Sequence, residues 1–236
     1  MNFWDATLSG PAANLAADEA MLDACEAGGG EAHRFWEPAE YFVVLGYSNA
    51  AAREANLEAC RRAGVPVLRR CTGGGAVLQG HGCLNYALIL RIDDKAETHS
   101  IPSTNQRVME RQRVVLSHVL AQPVAIEGTS DLCLGGLKFS GNSQRRLRNA
   151  LIFHGTFLLN FDLDCVEKFL AMPSRQPEYR QGRAHRHFLT NVPGSVASIK
   201  QALRKAWGAD QPMDFPPDWQ SLARNKYSSD DWNLRF

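Results

Sequence analysis

The chain has 236 residues, 44% of them hydrophobic and 22% charged, with a formal net charge of +1; that composition can bury a core and is unlike a disordered chain. Near neutrality excludes a global pull toward nucleic acid or an anionic membrane, and no run approaches the roughly 18 apolar residues of a bilayer span. Six scattered cysteines without C-x-x-C or zinc spacing, and an N-terminus lacking a basic stretch before an apolar run, read as reduced thiols in a soluble, cytoplasmic protein.

Asn14 to Ala27 has helical periodicity, with Leu15, Ala16, Met21, Leu22 and Cys25 on one face and Asp18, Glu19, Asp23 and Glu26 largely elsewhere. Gly28-Gly29-Gly30 ends it as a flexible turn. Arg34–Glu37 and Tyr41–Leu45 read as strands around a Pro38 turn, and Asn56–Ala63 as a short helix capped by Gly64. A strand around Val65, Val67 and Leu68 then runs into Arg69-Arg70-Cys71-Thr72-Gly73-Gly74-Gly75-Ala76-Val77-Leu78, and a further strand spans Asn85–Leu90. Three adjacent glycines are costly to order and suit a backbone that something must approach closely. Two arginines beside bare N–H groups suit a phosphate or carboxylate; a glycine-rich hairpin with surface arginines is the other reading.

Asp93–Asn105 is polar and reads as a loop, followed by a helix over Gln106–Leu120 with Arg107, Arg111 and Arg113 on a solvated face. Val124–Ile126 reads as a strand and Glu127–Asp131 as a turn. Leu132–Leu134 and Leu137–Phe139 read as strands joined by a Gly135-Gly136 hairpin turn, and Ser140–Gln144 as a polar loop. Lys138 is either a partnered site lysine or a side chain on the open face of the hairpin. Leu151–Leu159 is strand-like and carries His154-Gly155-Thr156; Leu163–Leu170 and Val196–Trp207 read as helices. Strands interleaved with helices, without repeats or a clear linker, indicate one α+β domain over residues 1–236.

In order, Asn14-Leu15-Ala16-Ala17-Asp18-Glu19, Val43-Val44-Leu45-Gly46, the Arg-Arg-x-Thr-Gly-Gly-Gly loop, Ser130-Asp131-Leu132, Lys138-Phe139-Ser140-Gly141-Asn142-Ser143-Gln144, His154-Gly155-Thr156 and Lys226-Tyr227 with Trp232-Asn233 follow one family's pattern. The chain resembles the lipoate–protein ligase and octanoyltransferase family along nearly its whole length. The resemblance implies a mixed, largely antiparallel large sheet flanked by helices with a smaller second sheet, a fold shared with biotin protein ligases. It implies activation of lipoate or octanoate by Mg2+-ATP as an acyl-adenylate, then transfer to a lysine of a lipoyl carrier domain or a glycine-cleavage H-type protein.

By the same resemblance, Arg70, Thr72, Gly73, Gly74, Gly75, Ala76, Val77 and Leu78 would bind the adenylate with His154 and Thr156. Lys138 would be the catalytic residue, and Asp131 would lie near adenosine or Mg2+. Residues around Val77, Leu88 and Phe139 would line an acyl tunnel. The chain departs from the pattern at Gln79-Gly80, where His-Asp is usual, and the small additional C-terminal domain of the full ligases is expected to be absent or replaced by a separate accessory subunit. Two alternatives stand: a cysteine-dependent octanoyl- or lipoyl-transferase with Cys133, before Cys71 and Cys83, as nucleophile, and a non-catalytic lipoyl-binding protein.

Overall fold

The computed structural model describes residues 1–92, 97–213 and 218–236; part of the polar stretch after Ile92 and part of the tail after Met213 lie outside them. In chain order the strands are β1 Asn2–Asp5, β2 Ala32–Trp36, β3 Phe42–Leu45, β4 Val67–Arg69, β5 Val77–Gln79, β6 Cys83–Arg91, β7 Ala125–Glu127, β8 Asp131–Leu134, β9 Leu137–Arg146, β10 Ala150–Leu158 and β11 Gln211–Pro212. The helices are α1 Pro11–Glu26, α2 Ala51–Glu54, α3 Leu57–Ala63, α4 Ile101–Leu120, α5 Asp164–Phe169, α6 His185–Phe188, α7 Val196–Trp207, α8 Trp219–Leu222 and α9 Asp230–Asn233.

Eight strands form one sheet in the order β11-β1-β2-β6-β10-β9-β8-β7, and three form a second in the order β4-β3-β5. In the large sheet β1 runs parallel to β2 and β11, and the remaining pairs are antiparallel. The α+β architecture read from the sequence is thus present. β6 lies at the centre and is buried along eight of its nine residues, as a strand covered on both faces must be. On one face Leu84, Tyr86, Leu88 and Leu90 pack against α4 and α7; on the other Ala87 and Ile89 pack against α1. The small sheet, α3 and α5 share a separate apolar cluster.

Local chemistry explains the ends of several elements. Asn56 accepts the Ala59 N–H at 3.1 Å and Gly64 closes α3 at φ +66°. Gly135 and Gly136, both at positive φ (55° and 79°), turn the β8–β9 hairpin. α4 begins at Ile101, five residues before the expected start, because Ser100 and Ser103 form a reciprocal capping box and Pro102 sits in the first turn.

Four expectations change. The strands on either side of Pro38 do not pair: β2 joins the large sheet and β3 the small one. β4 and β5 flank β3 on opposite sides, so the glycine-rich stretch between them is a crossing loop and no hairpin. Ser140–Gln144 is the middle of β9, paired with β10 from Ser140 opposite Phe157 to Arg146 opposite Leu151; Asp131 opens β8. Arg107 and Arg111 of α4 lie over the Trp207 ring at 5.8 and 4.4 Å, so that face joins α4 to α7.

Candidate functional site

A cavity of about 350 Å³ lies where the small sheet meets the large one. Its walls are the glycine-rich loop from Gly74 to Gln79, the hairpin strands from Asp131 to Ser143, and His154–Thr156 of β10; residues between Leu158 and Leu189 cover one side. Of the expected site residues it brings together Arg70, Gly74, Gly75, Ala76, Val77, Leu78, Asp131, Lys138, His154 and Thr156. Thr72 and Gly73 stand behind this wall and hold it. Val77 and Phe139 line the cavity, whereas Leu88 is in the core facing α4 and α7.

The two arginines part company. Arg69 is fully buried and donates to the carbonyls of Gly46, Tyr47, Asn49, Trp232 and Asn233 at 2.8–3.1 Å, tying β4 to the C-terminal segment. Arg70 turns into the loop and donates to the Thr72 hydroxyl at 3.0 Å and to the carbonyls of Gly73 and Gly75 at 2.5 and 2.9 Å. It has no carboxylate partner among the described residues, and burial pulls its guanidinium down to about 10. A buried guanidinium at a cavity wall, held only by neutral acceptors, keeps a net positive charge there.

Glycine is required at particular points of this loop. Gly74 has φ +87°, and a Cβ there would lie 2.8 Å from the Arg70 guanidinium; a Cβ on Gly46 would lie 2.0 Å from the Gly74 carbonyl oxygen. Gly73 and Gly75 face open space instead, and Ser143 of β9 donates to the Gly73 carbonyl at 2.9 Å, fixing the loop to the large sheet.

Lys138 reaches across the β8–β9 ladder and pairs through Nζ with Asp131 Oδ1 at 2.8 Å. The other Asp131 oxygen accepts from the Tyr179 hydroxyl at 2.6 Å. A Cβ at Gly141 would come 2.8 Å from Lys138 Nζ, so glycine there leaves the lysine its channel. Both Asp131 oxygens are engaged, one by Lys138 and one by Tyr179, so in this arrangement Asp131 holds the lysine.

His154 Nε2 meets the Thr72 hydroxyl at 2.7 Å and its Nδ1 faces Asp18 at 3.4 Å, and Asp18 accepts from Arg34 at 2.5 Å. Because Thr72 already accepts from Arg70, the donors balance when Thr72 donates to Nε2 and Nδ1–H donates to Asp18. Burial pushes Asp18 up, but Arg34 and His154 outweigh it and hold the carboxyl below its usual range. A second closed set joins Gln79, Asn85 and Thr156 at 2.5–2.9 Å, so Gln79 takes a full part in the wall at the point where the sequence leaves the family pattern. Asn142 completes the floor: it bonds Tyr86 and Ser130 and sits over Gly155, where a Cβ would be 1.8 Å from its Oδ1.

No cysteine lines the cavity. Cys133 is fully buried beneath the hairpin, and burial pushes its thiol up to about 11; Cys71 is likewise raised to about 11 and Cys83 to about 12. Thiols so placed are poor nucleophiles. Sequence reasoning missed Asp18, Arg34, Asn142, Tyr179, Arg175 and Arg180. Tyr179–His187 is basic and rich in turn formers, but nothing in that composition indicates that the segment covers the hairpin.

Comparison with known proteins agrees with this geometry. Residues 10–215 match the model of the lipoyl protein ligase A/B catalytic domain. Among solved structures, a bipartite archaeal lipoate protein ligase from Thermoplasma acidophilum, studied with its E2 lipoyl domain, superposes with a TM-score of 0.83 at 25% identity over 99% of this chain and 95% of that one. A lipoate-protein ligase A bound with ATP gives 0.83 at 25% identity over 99% of both chains. The octanoyltransferase LipM of Brevibacillus brevis is 27% identical over 95% of this chain and 95% of its own length.

Proposed function

Because this chain belongs to the lipoyl protein ligase A/B catalytic-domain family, and is similar both to lipoate ligases and to an octanoyltransferase, we propose that it is the ATP-dependent kind: a lipoate–protein ligase. The observation that carries this reading is the buried, counter-ion-free Arg70 in the same cavity as Lys138. Such a site favours a nucleotide phosphate next to an acyl group. A thioester exchange would call for an accessible thiol, and the candidate thiols sit outside the cavity.

In the first step a carboxylate oxygen of lipoate attacks the α-phosphorus of ATP, and the bond to the bridging oxygen breaks with departure of pyrophosphate. Arg70 and the loop amides offset charge on the α-phosphate. The Lys138 ammonium, aimed by Asp131, donates to the acyl carbonyl and to a phosphate oxygen. In the second step the amine of an acceptor lysine attacks the carbonyl and AMP leaves. Mg2+ enters with ATP as part of the substrate. The acceptor by this reading is a small lipoyl domain, and the bipartite build of the archaeal ligase supports a separate accessory subunit acting with this chain.

The test is intact-mass analysis of a lipoyl domain incubated with the protein, with and without candidate accessory subunit. Modification from free lipoate and Mg2+-ATP is expected. Modification only from an octanoylated carrier protein would establish the transferase, the reading favoured by the similarity to LipM. Cys133→Ser is expected to leave adenylate formation intact, measured as lipoate-dependent pyrophosphate release; its loss in a folded variant would return Cys133 to the reaction.

A further inference from the structure

The segment between α5 and α6, which covers one side of the cavity, carries two more cations to its lining. Arg175 is exposed at the mouth, lines the cavity, and makes no hydrogen bond or ion pair with any described residue. The preceding Ser174 donates to buried Glu54 and the Ala171 N–H donates to the Glu54 carbonyl at 3.0 Å, so the backbone that presents Arg175 is anchored. Arg180 lies deeper, 4% exposed, stacked 4.6 Å over the Phe188 ring. Its Nε donates to the Arg183 carbonyl at 3.0 Å and one terminal nitrogen meets only the Met172 sulfur at 3.4 Å. Among the described residues no carboxylate pairs with it.

The charges around the cavity do not balance. Asp18 is answered by Arg34 and Asp131 by Lys138. Arg70, Arg175 and Arg180 have no carboxylate partner among the described residues, and the latter two stand on the covering segment, not on the glycine-rich loop. We infer that Arg175 and Arg180 form a second anion subsite that takes the pyrophosphate portion of ATP as it departs. This rests on the ATP-dependent reading above. When the acyl oxygen bonds to the α-phosphorus, the electron pair of the broken bond leaves on pyrophosphate; planar guanidinium groups, always charged and able to bind two phosphate oxygens at once, suit that developing charge. Arg70 and Lys138 then remain with the acyl-adenylate while the second subsite empties.

Three measurements separate the possibilities, using Arg175→Ala, which removes an exposed side chain, and Arg180→Lys, which keeps the buried charge. They are calorimetric binding of inorganic pyrophosphate with Mg2+, lipoate-dependent pyrophosphate–ATP exchange, and single-turnover transfer from chemically prepared lipoyl-adenylate to a lipoyl domain. Arg175→Ala is expected to weaken pyrophosphate binding and slow exchange at least tenfold while leaving transfer within twofold of wild type; Arg180→Lys should slow exchange several-fold. Unchanged binding and exchange would overturn the inference. So would equal loss in all three, or loss confined to transfer, which would assign the guanidiniums to an acidic surface of the acceptor. If the wild-type protein binds pyrophosphate through Arg175 but catalyses no exchange, the subsite stands and the ATP-dependent reading fails.

Discussion

Lys138 is held by one carboxylate and hemmed in by its own strand, a placement that makes its ammonium directional. Hydrogen bonds to charged groups contribute about 1.5–3 kcal/mol each, and two of them would be lost together. Lys138→Ala is therefore expected to slow adenylate formation by about 10²–10⁴-fold, since each 1.36 kcal/mol is about tenfold in rate, with thermal stability little changed; single-turnover kinetics and a melting curve check both halves. A different residue governs acid stability. His33 of β2 is fully buried between Phe35 and Tyr86, with neither ring nitrogen bonded among the described residues, and burial lowers its imidazole to about 3. It is neutral when folded and takes a proton near pH 6.5 when unfolded, so its contribution is whole above that pH and falls as the pH drops toward 3. Denaturant unfolding at pH 7 and pH 5 is expected to show a loss larger by roughly 2 kcal/mol in the wild type than in His33→Phe, at up to about 1.4 kcal/mol per pH unit.

At the level of elements, the three adjacent glycines are not equivalent. Gly74→Ala is expected to be costly, because the residue needs positive φ and its Cβ would press on Arg70. Gly75→Ala should preserve the fold, since its Cβ meets open space, and raise KM for ATP or lipoate several-fold by narrowing the approach. Circular dichroism melts beside steady-state kinetics distinguish the two. The glycine loop and Lys138 were legible in the sequence because their residue types are expensive anywhere else. β9 was not: Ser140, Asn142 and Gln144 lack the apolar alternation of a half-buried strand because part of this strand faces the cavity, and small polar side chains there read as a loop. Asp18 and Arg34 were missed for a related reason. The two residues are 16 positions apart in sequence, on a helix and a strand, and an ion pair of that kind becomes visible only once α1 is laid on the sheet.

Across the whole molecule, Glu19 joins parts that no local pattern connects. Its carboxylate accepts from Arg145 of β9 at 2.6 Å, from Lys226 at 2.6 Å and from Tyr227 at 2.9 Å. Burial pushes Glu19 up, but the Lys226 and Tyr227 hydrogen bonds and Arg145 more than offset it, and the group ends below its usual value. Its stabilising effect is thus present above about pH 4.3 and lost as the pH falls through the lower folded value. Glu19→Gln leaves two cations facing a neutral amide. Because Arg145 and Lys226 keep some contact with water, the cost is expected at about 2–3 kcal/mol, below that of breaking a fully buried pair, as read by denaturant unfolding at pH 7.

The clamp on Arg69 carries a consequence for how the molecule is made. The guanidinium that fixes Gly46, against which Gly74 is seated, is itself held by Trp232 and Asn233, and the Arg69 N–H is bonded to a side chain 164 residues further on. Such distant closures form late in folding. During synthesis the strands of both sheets can pair as they emerge from the ribosome, yet the glycine-rich loop stays unset until residues 232 and 233 have cleared the exit tunnel. A chain truncated after residue 230 would keep every strand of both sheets but lack the Trp232 and Asn233 contacts to Arg69, so its glycine-rich loop would be left unset.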